Sequence, residues 1–163
     1  MCGSLYLSDV INWQFLMNFA VKTFNELSVN ELYEVLKLRS EVFVIEQNCN
    51  YQDMDDKDKV ALHVMGFDGP ELVAYARILA PGISYKEASI GRVIVNKNFR
   101  GKDYGRELMK VCIDKTLSQF KVNQIVISAQ YYLLKFYREL GFVEEGDIYP
   151  EDDIPHIKMR LTN

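Results

Sequence analysis

Apolar residues recur at helical spacing in two long stretches of the chain. In the first stretch, the positions that share one face are Leu32, Val35, Leu36, Arg39, Val42 and Phe43. Ser28 and Glu31 form the Ser-x-x-Glu pattern of a capping box, which predicts a helix that begins at Ser28 and fades near Val44. The second stretch is Tyr104–Phe120, and its apolar face consists of Leu108, Met109, Cys112, Ile113, Thr116 and Phe120.

Short apolar runs predict strands around these helices. Residues 60–67 and Glu71–Leu79 flank the turn sequence Asp68-Gly69-Pro70 and form a predicted hairpin. A third helix is predicted at residues 131–140, before Gly141, a typical C-terminal stop. Further strands are predicted at residues 89–95, 124–128, 142–149 and 156–161. This order predicts an α/β (α+β) fold, a mixed sheet covered by helices.

The segment 46–59 interrupts this pattern with polar and acidic residues. Its acids are Glu46, Asp53, Asp55, Asp56 and Asp58. The composition predicts a surface loop. Its charge either attracts a cationic substrate such as a polyamine or a lysine, or is simply solvated.

Length and charge exclude several classes of protein. A chain of 163 residues fits one domain, and 48% apolar with 26% charged residues is ordinary for a globular protein. A net charge of −4 argues against nucleic acid and is compatible with an amine substrate. Cys2, Cys49 and Cys112 are too few and too scattered for a disulfide framework. With two histidines and no Cys-x-x-Cys pair, no metal is expected. The cysteine pattern favours a reducing compartment, and the protein is predicted to be cytoplasmic.

The first 20 residues are fairly apolar but do not form a targeting signal. No basic residue precedes Lys22, and Asp9, Asn12 and Gln14 interrupt the apolar run. We therefore expect no membrane partner. Met17 offers a second start, so residues 1–16 are either a strand-like extension or lie before the true start. The domain prediction is an extension over 1–18 and one domain over 19–163.

The stretch between the strand 89–95 and the helix Tyr104–Phe120 carries the clearest chemistry. Gly101 and Gly105 let the backbone approach a ligand, and the helix start exposes free N–H groups that favour an anion. Basic side chains cluster in the same loop, at Arg100, Lys102 and Arg106. By spacing alone, an anion site and a basic surface turn explain the loop equally well. It matches neither a phosphate-binding Walker loop nor a dinucleotide fingerprint.

Two motifs resemble those of the GNAT superfamily of N-acetyltransferases. Arg100-Gly-Lys-Asp-Tyr-Gly105 after a strand resembles motif A, and Phe136-Tyr-Arg-Glu-Leu-Gly-Phe142 resembles the end of motif B. Several further segments resemble its ElaA-like branch: Leu38-Arg39, Glu46-Gln-Asn-Cys49, Tyr51-Gln-Asp53, residues 72–79, residues 90–95 and Ile154-Pro-His-Ile157. The resemblance spans about residues 19–161 and implies a mostly antiparallel sheet with splayed central strands.

This resemblance implies an acetyl-CoA site. The backbone of Val93, Ile94 and Val95 would bind the pantetheine arm, and the backbone of residues 100–105 the pyrophosphate. The implied cofactor residues beyond that strand are Arg100, Gly101, Lys102, Asp103, Tyr104, Gly105, Arg106 and Gln130. Lys102 and Arg106 either steer the phosphates or are solvated. Asp103 replaces the usual first glycine of motif A, and we expect its carboxylate to cap the helix.

The resemblance also assigns roles in catalysis. Tyr137 would protonate the leaving thiolate, or else be a core tyrosine. For the base, the candidates are Glu46, His63 and His156, although His63 is equally well explained as a plain sheet residue. His156 is also a candidate for the acceptor site. Arg77 and Arg92, inside apolar strands, either pair with nearby acids or bind an anionic part of the acceptor.

The sequence thus predicts transfer of an acetyl group from acetyl-CoA to a primary amine of a small molecule or peptide by direct attack. A non-catalytic acyl-CoA-binding module or sensor is the alternative. A hydrolase with Cys49 as nucleophile and His63 as its partner is disfavoured, because nothing around Cys49 resembles an activating setting. A homodimer is left open.

Overall fold

Seven β-strands form one sheet in the structure, a computed structural model that describes residues 16–163. In chain order they are β1 (Asn18–Thr23), β2 (Leu62–Asp68), β3 (Glu71–Leu79), β4 (Ala88–Val95), β5 (Gln124–Gln130), β6 (Val143–Glu151) and β7 (Ile154–Thr162). Their order in the sheet is β1-β2-β3-β4-β5-β7-β6. All neighbours are antiparallel except β4 and β5, which run parallel. The predicted mixed, mostly antiparallel sheet is confirmed.

The helices follow the sequence pattern closely at their starts. They are α1 (Val29–Arg39), α2 (Tyr104–Phe120) and α3 (Leu134–Arg138). The capping box is formed, because the Ser28 hydroxyl accepts from the Glu31 backbone N–H at 3.2 Å and Glu31 accepts from the Ser28 backbone N–H at 2.8 Å.

Two helical stretches differ in form from the prediction. The first ends at Glu46, near the predicted Val44, but beyond α1 it is a π-helical segment, Ser40–Glu46, whose wider turns often occur at functional sites. The predicted helix over 131–140 is a 3₁₀ turn, Tyr131–Leu133, followed by the short α3. Gly141 ends α3 at a φ of +91°, as its position predicted.

Each face of the sheet has its own hydrophobic core. Side chains alternate along β2 and β3, so Val64, Ala74 and Ala76 pack against α2 while Met65 and Tyr75 pack against α1. On the α2 face, the helices contribute Tyr104, Leu108, Met109, Cys112 and Tyr137. The helices therefore cover both faces, which fixes the sheet as a central layer.

The two parallel strands separate soon after they meet. Their register pairs are Ala88 with Ile125 and Ser89 with Val126, and beyond these the two strands diverge. Arg92 has a φ of +52° at a register shift between β3 and β4, a geometry that bends a strand. The splayed central strands are thereby confirmed, and the backbone of Val93–Val95 is left facing a gap between β4 and β5.

The acidic segment 46–59 does not behave as a solvated loop, which corrects the sequence interpretation. Two of its acids, Asp53 and Asp58, are buried. Arg39 donates to Asp53 and to Asp58 at 2.7 Å each, with its own side chain fully buried. A buried charge is tolerated only when it is paired in this way. The segment therefore folds back onto the α1 face of the sheet, and only part of it is a surface loop.

The N-terminal boundary drawn at residue 18 lies inside β1. Met17 is already packed in the core on the α2 face, and the backbone N–H groups of Leu16 and Met17 both donate to the Glu107 carboxylate at 3.3 Å. The expectations for residues 1–15 lie outside the described residues. Within residues 16–163, no helix combines the length and apolar character that crossing a membrane requires.

Candidate acyl-CoA and acceptor site

A cavity of about 570 Å³ lies where β4 separates from β5. Its walls combine the β4 backbone at Val93–Val95, the loop before α2, and side chains of the π-helical segment and α3. Of the eleven predicted cofactor residues, ten line it and Lys102 does not; the ten are Val93, Ile94, Val95, Arg100, Gly101, Asp103, Tyr104, Gly105, Arg106 and Gln130. We call it the donor cavity.

The loop at the mouth of the donor cavity is held in a conformation that few residues adopt. Gly101 and Asp103 both have positive φ, +81° and +63°. The expectation that the Asp103 side chain caps α2 is wrong: Asp103 occupies the N-cap position, but its carboxylate makes no capping hydrogen bond. It accepts instead from Arg106 Nε at 3.2 Å. The left-handed backbone at Asp103 explains the usual glycine of motif A.

The basic residues of this loop are paired with acids. Arg100 forms a two-pronged ion pair with Glu46 at 2.6 and 2.9 Å, and Lys102 lies 3.7 Å from Asp68. Arg106 donates to Glu139 at 2.7 Å. These charges are thus neither free nor merely solvated. Because such exposed pairs are weak, an incoming phosphate can compete for the same donors.

Tyr137 lies where the donor cavity meets a second cavity. Its ring packs edge-on against Phe136 and Phe142, at centroid distances of 5.0 and 6.0 Å. Burial raises the pKa of Tyr137, so its hydroxyl stays protonated at neutral pH. None of the described residues is hydrogen-bonded to that hydroxyl. A protonated donor is therefore available at the boundary between the two cavities.

The second cavity, of about 370 Å³, we call the acceptor cavity. It shares Val93, Gln130, Leu133 and Tyr137 with the donor cavity, so the two cavities adjoin at that point. Its polar wall residues come from the acidic segment, from the loop between β3 and β4, and from β3, β4, β5, β6 and β7: Asp55, Lys57, Arg77, Tyr85, Arg92, Ser128, Glu151 and His156. Of the predicted substrate residues, Arg77, Arg92 and His156 all lie here.

Arg77 and Arg92 are joined to the acidic segment. Arg77 pairs with Asp55 and with Asp58, the latter at 2.9 Å, and its Nε is buried without a partner among the described residues. Arg92 donates to Asp53 at 2.6 Å. Both arginines thus pair with nearby acids, which was the first of the two alternatives predicted for them. Both nevertheless form part of the acceptor cavity wall, so a role with substrate remains a prediction.

Two of the predicted base candidates are engaged elsewhere. The Arg100 guanidinium holds the pKa of Glu46 below its usual value, and Glu46 lines the donor cavity. His63 is fully buried; its Nε2 donates to the Asp58 carbonyl at 2.9 Å and its Nδ1 accepts from the Tyr75 hydroxyl at 2.8 Å. Burial lowers the pKa of His63. The plain sheet role describes His63 best, and it lines neither cavity.

Cys49 and His63 do not form a nucleophile–base pair. The Cys49 thiol donates to the backbone carbonyls of Gln47 and Asp152, both at 3.5 Å. Both ring nitrogens of His63 are hydrogen-bonded elsewhere, to Tyr75 and to the Asp58 carbonyl. The hydrolase alternative has no geometric support.

Gln130 bridges the two sides of the junction. At the end of β5, its amide nitrogen donates to Gln47 Oε1 at 3.1 Å, which ties β5 to the segment after the π-helix. Gln47 had no predicted role, and nothing in its local sequence signals one. Nothing in the sequence indicated that Asp58 and Arg39 support the acceptor cavity, because these two paired residues lie 19 positions apart in the chain.

Comparison with known proteins decides the family. The family described as acetyltransferase (GNAT) domain matches residues 21–163, most of the chain. The chain belongs to the GNAT family. It is 41% identical to protein ElaA of Escherichia coli K12 over 92% of this chain and 95% of ElaA. A UPF0039 protein of Synechocystis is 42% identical, over 88% of this chain and 94% of that protein. The resemblance to the ElaA-like branch is therefore confirmed.

Solved structures agree with this GNAT assignment. An acyl-CoA N-acyltransferase from Pseudomonas aeruginosa superimposes with a TM-score of 0.85 at 37% identity, covering 90% of this chain and 99% of that chain. The E. coli ElaA structure gives 0.83 at 39% identity, over 89% and 99%. The AHL synthase LasI, at 16% identity and a TM-score of 0.74, shares the fold alone.

The GNAT fold binds an acyl-CoA donor and transfers its acyl group, and the residues present here fit such a donor. The β4 backbone beyond Ser89 has no pairing with β5, so an extended arm can add to it as a strand would. A β-carbon at Gly105 would lie 3.7 Å from Phe136 and Val95, in ordinary van der Waals contact, inside the donor cavity wall. The unpaired β4 backbone and the loop before α2 therefore line the same cavity.

Proposed function

We propose that this GNAT protein transfers the acetyl group of acetyl-CoA to a primary amine of a small molecule or peptide by direct attack. The observation that carries the proposal is that the donor and acceptor cavities adjoin at Tyr137, which lines both. A thioester carbonyl held at that junction would be open to attack from the acceptor side. No covalent enzyme intermediate is needed, because the two substrates can meet directly.

Four groups divide the work in this proposal. The backbone of Val93–Val95 orients the donor, and the backbone of residues 100–105 binds its pyrophosphate. The Tyr137 hydroxyl gives its proton to the departing thiolate, since its raised pKa keeps it protonated. Gln130, shared by both cavities, holds the acyl end or an ordered water.

The acceptor cavity supports an amine-bearing acceptor. Its wall carries two carboxylates, Asp55 and Glu151, of which Glu151 accepts a hydrogen bond from Ser128 at 2.7 Å and pairs with no cation among the described residues. A carboxylate of this kind attracts an ammonium group. Arg77, Arg92 and Lys57 on the opposite strands and loop would suit an acceptor that also carries an anionic group.

The test is release of CoA when the protein is incubated with acetyl-CoA and a panel of amino acids, polyamines and lysine peptides. We expect at least one amine to accelerate CoA release, with the N-acetyl product confirmed by mass spectrometry. Tight binding of acetyl-CoA with no acetylated amine would favour the alternative, a non-catalytic acyl-CoA-binding module or sensor. Absence of both binding and turnover would contradict both functions.

The non-catalytic alternative rests on one observation. Three carboxylates, those of Glu46, Asp68 and Asp103, accompany the cations at the mouth of the donor cavity. They lower the positive potential there, which would weaken binding of a phosphorylated donor.

For location, we propose the cytoplasm, where acetyl-CoA and reduced thiols such as those of Cys49 and Cys112 are found together.

A further inference from the structure

His156 lies in a row of residues that reaches the junction of the two cavities. In the sheet register it stands between Gln130 of β5 and Tyr149 of β6. Gln130 lines both cavities, and His156 lines the acceptor cavity. An imidazole at this place is therefore next to the point where an acceptor amine would meet the acyl group.

The ring of His156 is held in one orientation and one tautomer. Its Nδ1 lies 2.8 Å from the backbone carbonyl of Ile154, which can only accept, so Nδ1 carries the proton. In the neutral ring, Nε2 then has a free lone pair. No residue in the described part of the chain is hydrogen-bonded to that nitrogen. The ring also stacks on Tyr149, at a centroid distance of 6.3 Å and an angle of 25°.

The turn before β7 fixes this arrangement. Asp152 and Asp153 both have positive φ, +49° and +62°, as the two central residues of a type I′ hairpin turn require. The turn starts β7 at Ile154, whose carbonyl accepts from His156 two residues later. The hairpin thus serves to orient an imidazole, in addition to closing the sheet.

We propose that His156 is the general base of the acyl transfer, an inference that rests on the proposed function. Nε2 takes one proton from the ammonium group of the acceptor, and the freed nitrogen lone pair attacks the thioester carbon. The C–S bond then breaks, and the thiolate takes the Tyr137 proton. The nitrogen loses its second proton to the Tyr137 oxygen, and His156 releases its proton to water. One ammonium and one thioester give one amide, one thiol and one proton.

The acceptor cavity surrounds His156 with charged groups, of which the two arginines are paired with acids. The ionisable groups that face the acceptor cavity with it are Asp55, Lys57, Arg77, Tyr85, Arg92, Tyr137 and Glu151, and Tyr149 stacks on the ring. Arg77 and Arg92 are neutralised by Asp53, Asp55 and Asp58. Glu151, on the strand next to β7, is the carboxylate of this wall that pairs with no cation among the described residues.

The tautomer can be measured without knowing the acceptor. The chain has two histidines, so an imidazole ¹⁵N correlation spectrum contains two rings, assigned with His156→Asn. We expect the neutral ring of His156 to carry its proton on Nδ1 and none on Nε2, and that of His63 to show the opposite pattern. A protonated Nε2 on neutral His156 would overturn the proposal.

The kinetic test uses the most active amine of the panel and the His156→Asn variant, whose amide can still donate to the Ile154 carbonyl. We expect turnover at pH 7 to fall about 100-fold, the lower range for loss of a general base, with unchanged acetyl-CoA affinity. The loss should shrink to a few-fold near pH 10, where solution itself supplies neutral amine.

A role in substrate binding alone would give a different result. It would raise KM by a factor that does not depend on pH and leave kcat nearly unchanged. Either that pattern, or unaltered turnover in His156→Asn, would overturn the base assignment while leaving the proposed acetyl transfer intact. If no amine is acetylated by the unmodified protein, the proposed function fails first, and the base assignment fails with it.

Discussion

Asp103 shows how one residue can fit a loop and oppose its ligand at the same time. Its φ of +63° is the left-handed region, which costs an ordinary residue about 1–2 kcal/mol and costs glycine nothing. Aspartate tolerates it better than most residues do. Its carboxylate, held by Arg106, stands at the mouth of the donor cavity where the pyrophosphate is proposed to bind.

Replacing Asp103 by Gly is expected to raise both stability and donor affinity. Stability should rise by up to about 1 kcal/mol because the backbone strain is removed, and the affinity for CoA should rise several-fold because a negative charge leaves the site. Chemical denaturation and calorimetric titration measure the two effects. Asp103→Ala is the matched control: it should gain affinity without gaining stability. Equal or weaker CoA binding in both variants would contradict the proposed place of the pyrophosphate.

Tyr137 permits a cleaner test of chemistry, because its hydroxyl has no structural hydrogen bond to a described residue. Tyr137→Phe keeps the ring packing with Phe136 and Phe142 and removes only the proton donor. We expect kcat to fall about 100-fold or more and the dissociation constant of acetyl-CoA to change less than threefold. Steady-state kinetics and equilibrium binding on the same preparation measure kcat and the dissociation constant. Normal turnover would remove Tyr137 from its proposed role.

At the scale of elements, the acidic segment 46–59 acts as a buried support for the acceptor cavity. Asp58 accepts from Arg39 of α1 and from Arg77 of β3, so one carboxylate joins a helix, a strand and the segment. Burial by itself would raise the pKa of Asp58, but the two arginines outweigh it and lower that pKa below its usual value. The acceptor cavity therefore depends on ion pairs that are themselves largely out of contact with water.

Asp58→Asn is expected to lower the free energy of unfolding by about 3 kcal/mol, because it leaves two buried guanidinium groups short of one carboxylate. Asp56→Asn serves as the control, since the Asp56 side chain is 92% exposed and pairs with the exposed Lys59. Urea unfolding of both variants measures the difference. Similar stability of the two variants would show that the buried network contributes little.

The lowered pKa of Asp58 also predicts how stability depends on pH. The folded state holds this carboxylate ionised at pH values where the unfolded chain has begun to bind a proton. Its contribution is therefore complete above about pH 4, the usual value for Asp, and is lost as pH falls through the lower folded pKa. Unfolding curves from pH 7 to pH 3 should show that the difference in free energy of unfolding between the unmodified protein and Asp58→Asn becomes smaller. A difference that stays constant over this range would contradict the prediction.

At the scale of the whole molecule, the separation of β4 from β5 leaves the middle of the sheet open. The two strands share register pairs at Ala88 and Ser89 alone, so the sheet is held together there mainly by the packing of α2 and α3. A donor that adds its own hydrogen bonds to the β4 backbone would complete the sheet. Binding and folding stability are then coupled through this gap.

Acetyl-CoA at 100 times its dissociation constant is expected to stabilise the fold by about 2.7 kcal/mol, since the unfolded chain has no site for it. For a chain of this length the melting temperature should rise by about 5–10 °C. Thermal unfolding with increasing acetyl-CoA measures the shift, and Tyr137→Phe should show the same shift. A melting temperature that does not respond to acetyl-CoA would contradict the donor site.

The sequence by itself determined the elements and the family. Local signals were sufficient wherever a few neighbouring residues decide the outcome. The capping box at Ser28, the full extent of Tyr104–Phe120 and the hairpin around Gly69 are of this kind. The Arg100–Gly105 loop and the Phe136–Phe142 motif indicated the family for the same reason, because each motif consists of consecutive residues.

Only the tertiary structure decided which charged residues are buried together and which groups face the acceptor. The acids of segment 46–59 look solvated along the chain, yet Asp53 and Asp58 are buried because Arg39, Arg77 and Arg92 converge on them from three separate elements. Separate contacts engage Glu46, through Arg100, and His63, through Tyr75 and the Asp58 carbonyl, whereas no described residue is hydrogen-bonded to Nε2 of His156. Burial and pairing are properties of residues distant in sequence, so no local pattern could have settled them.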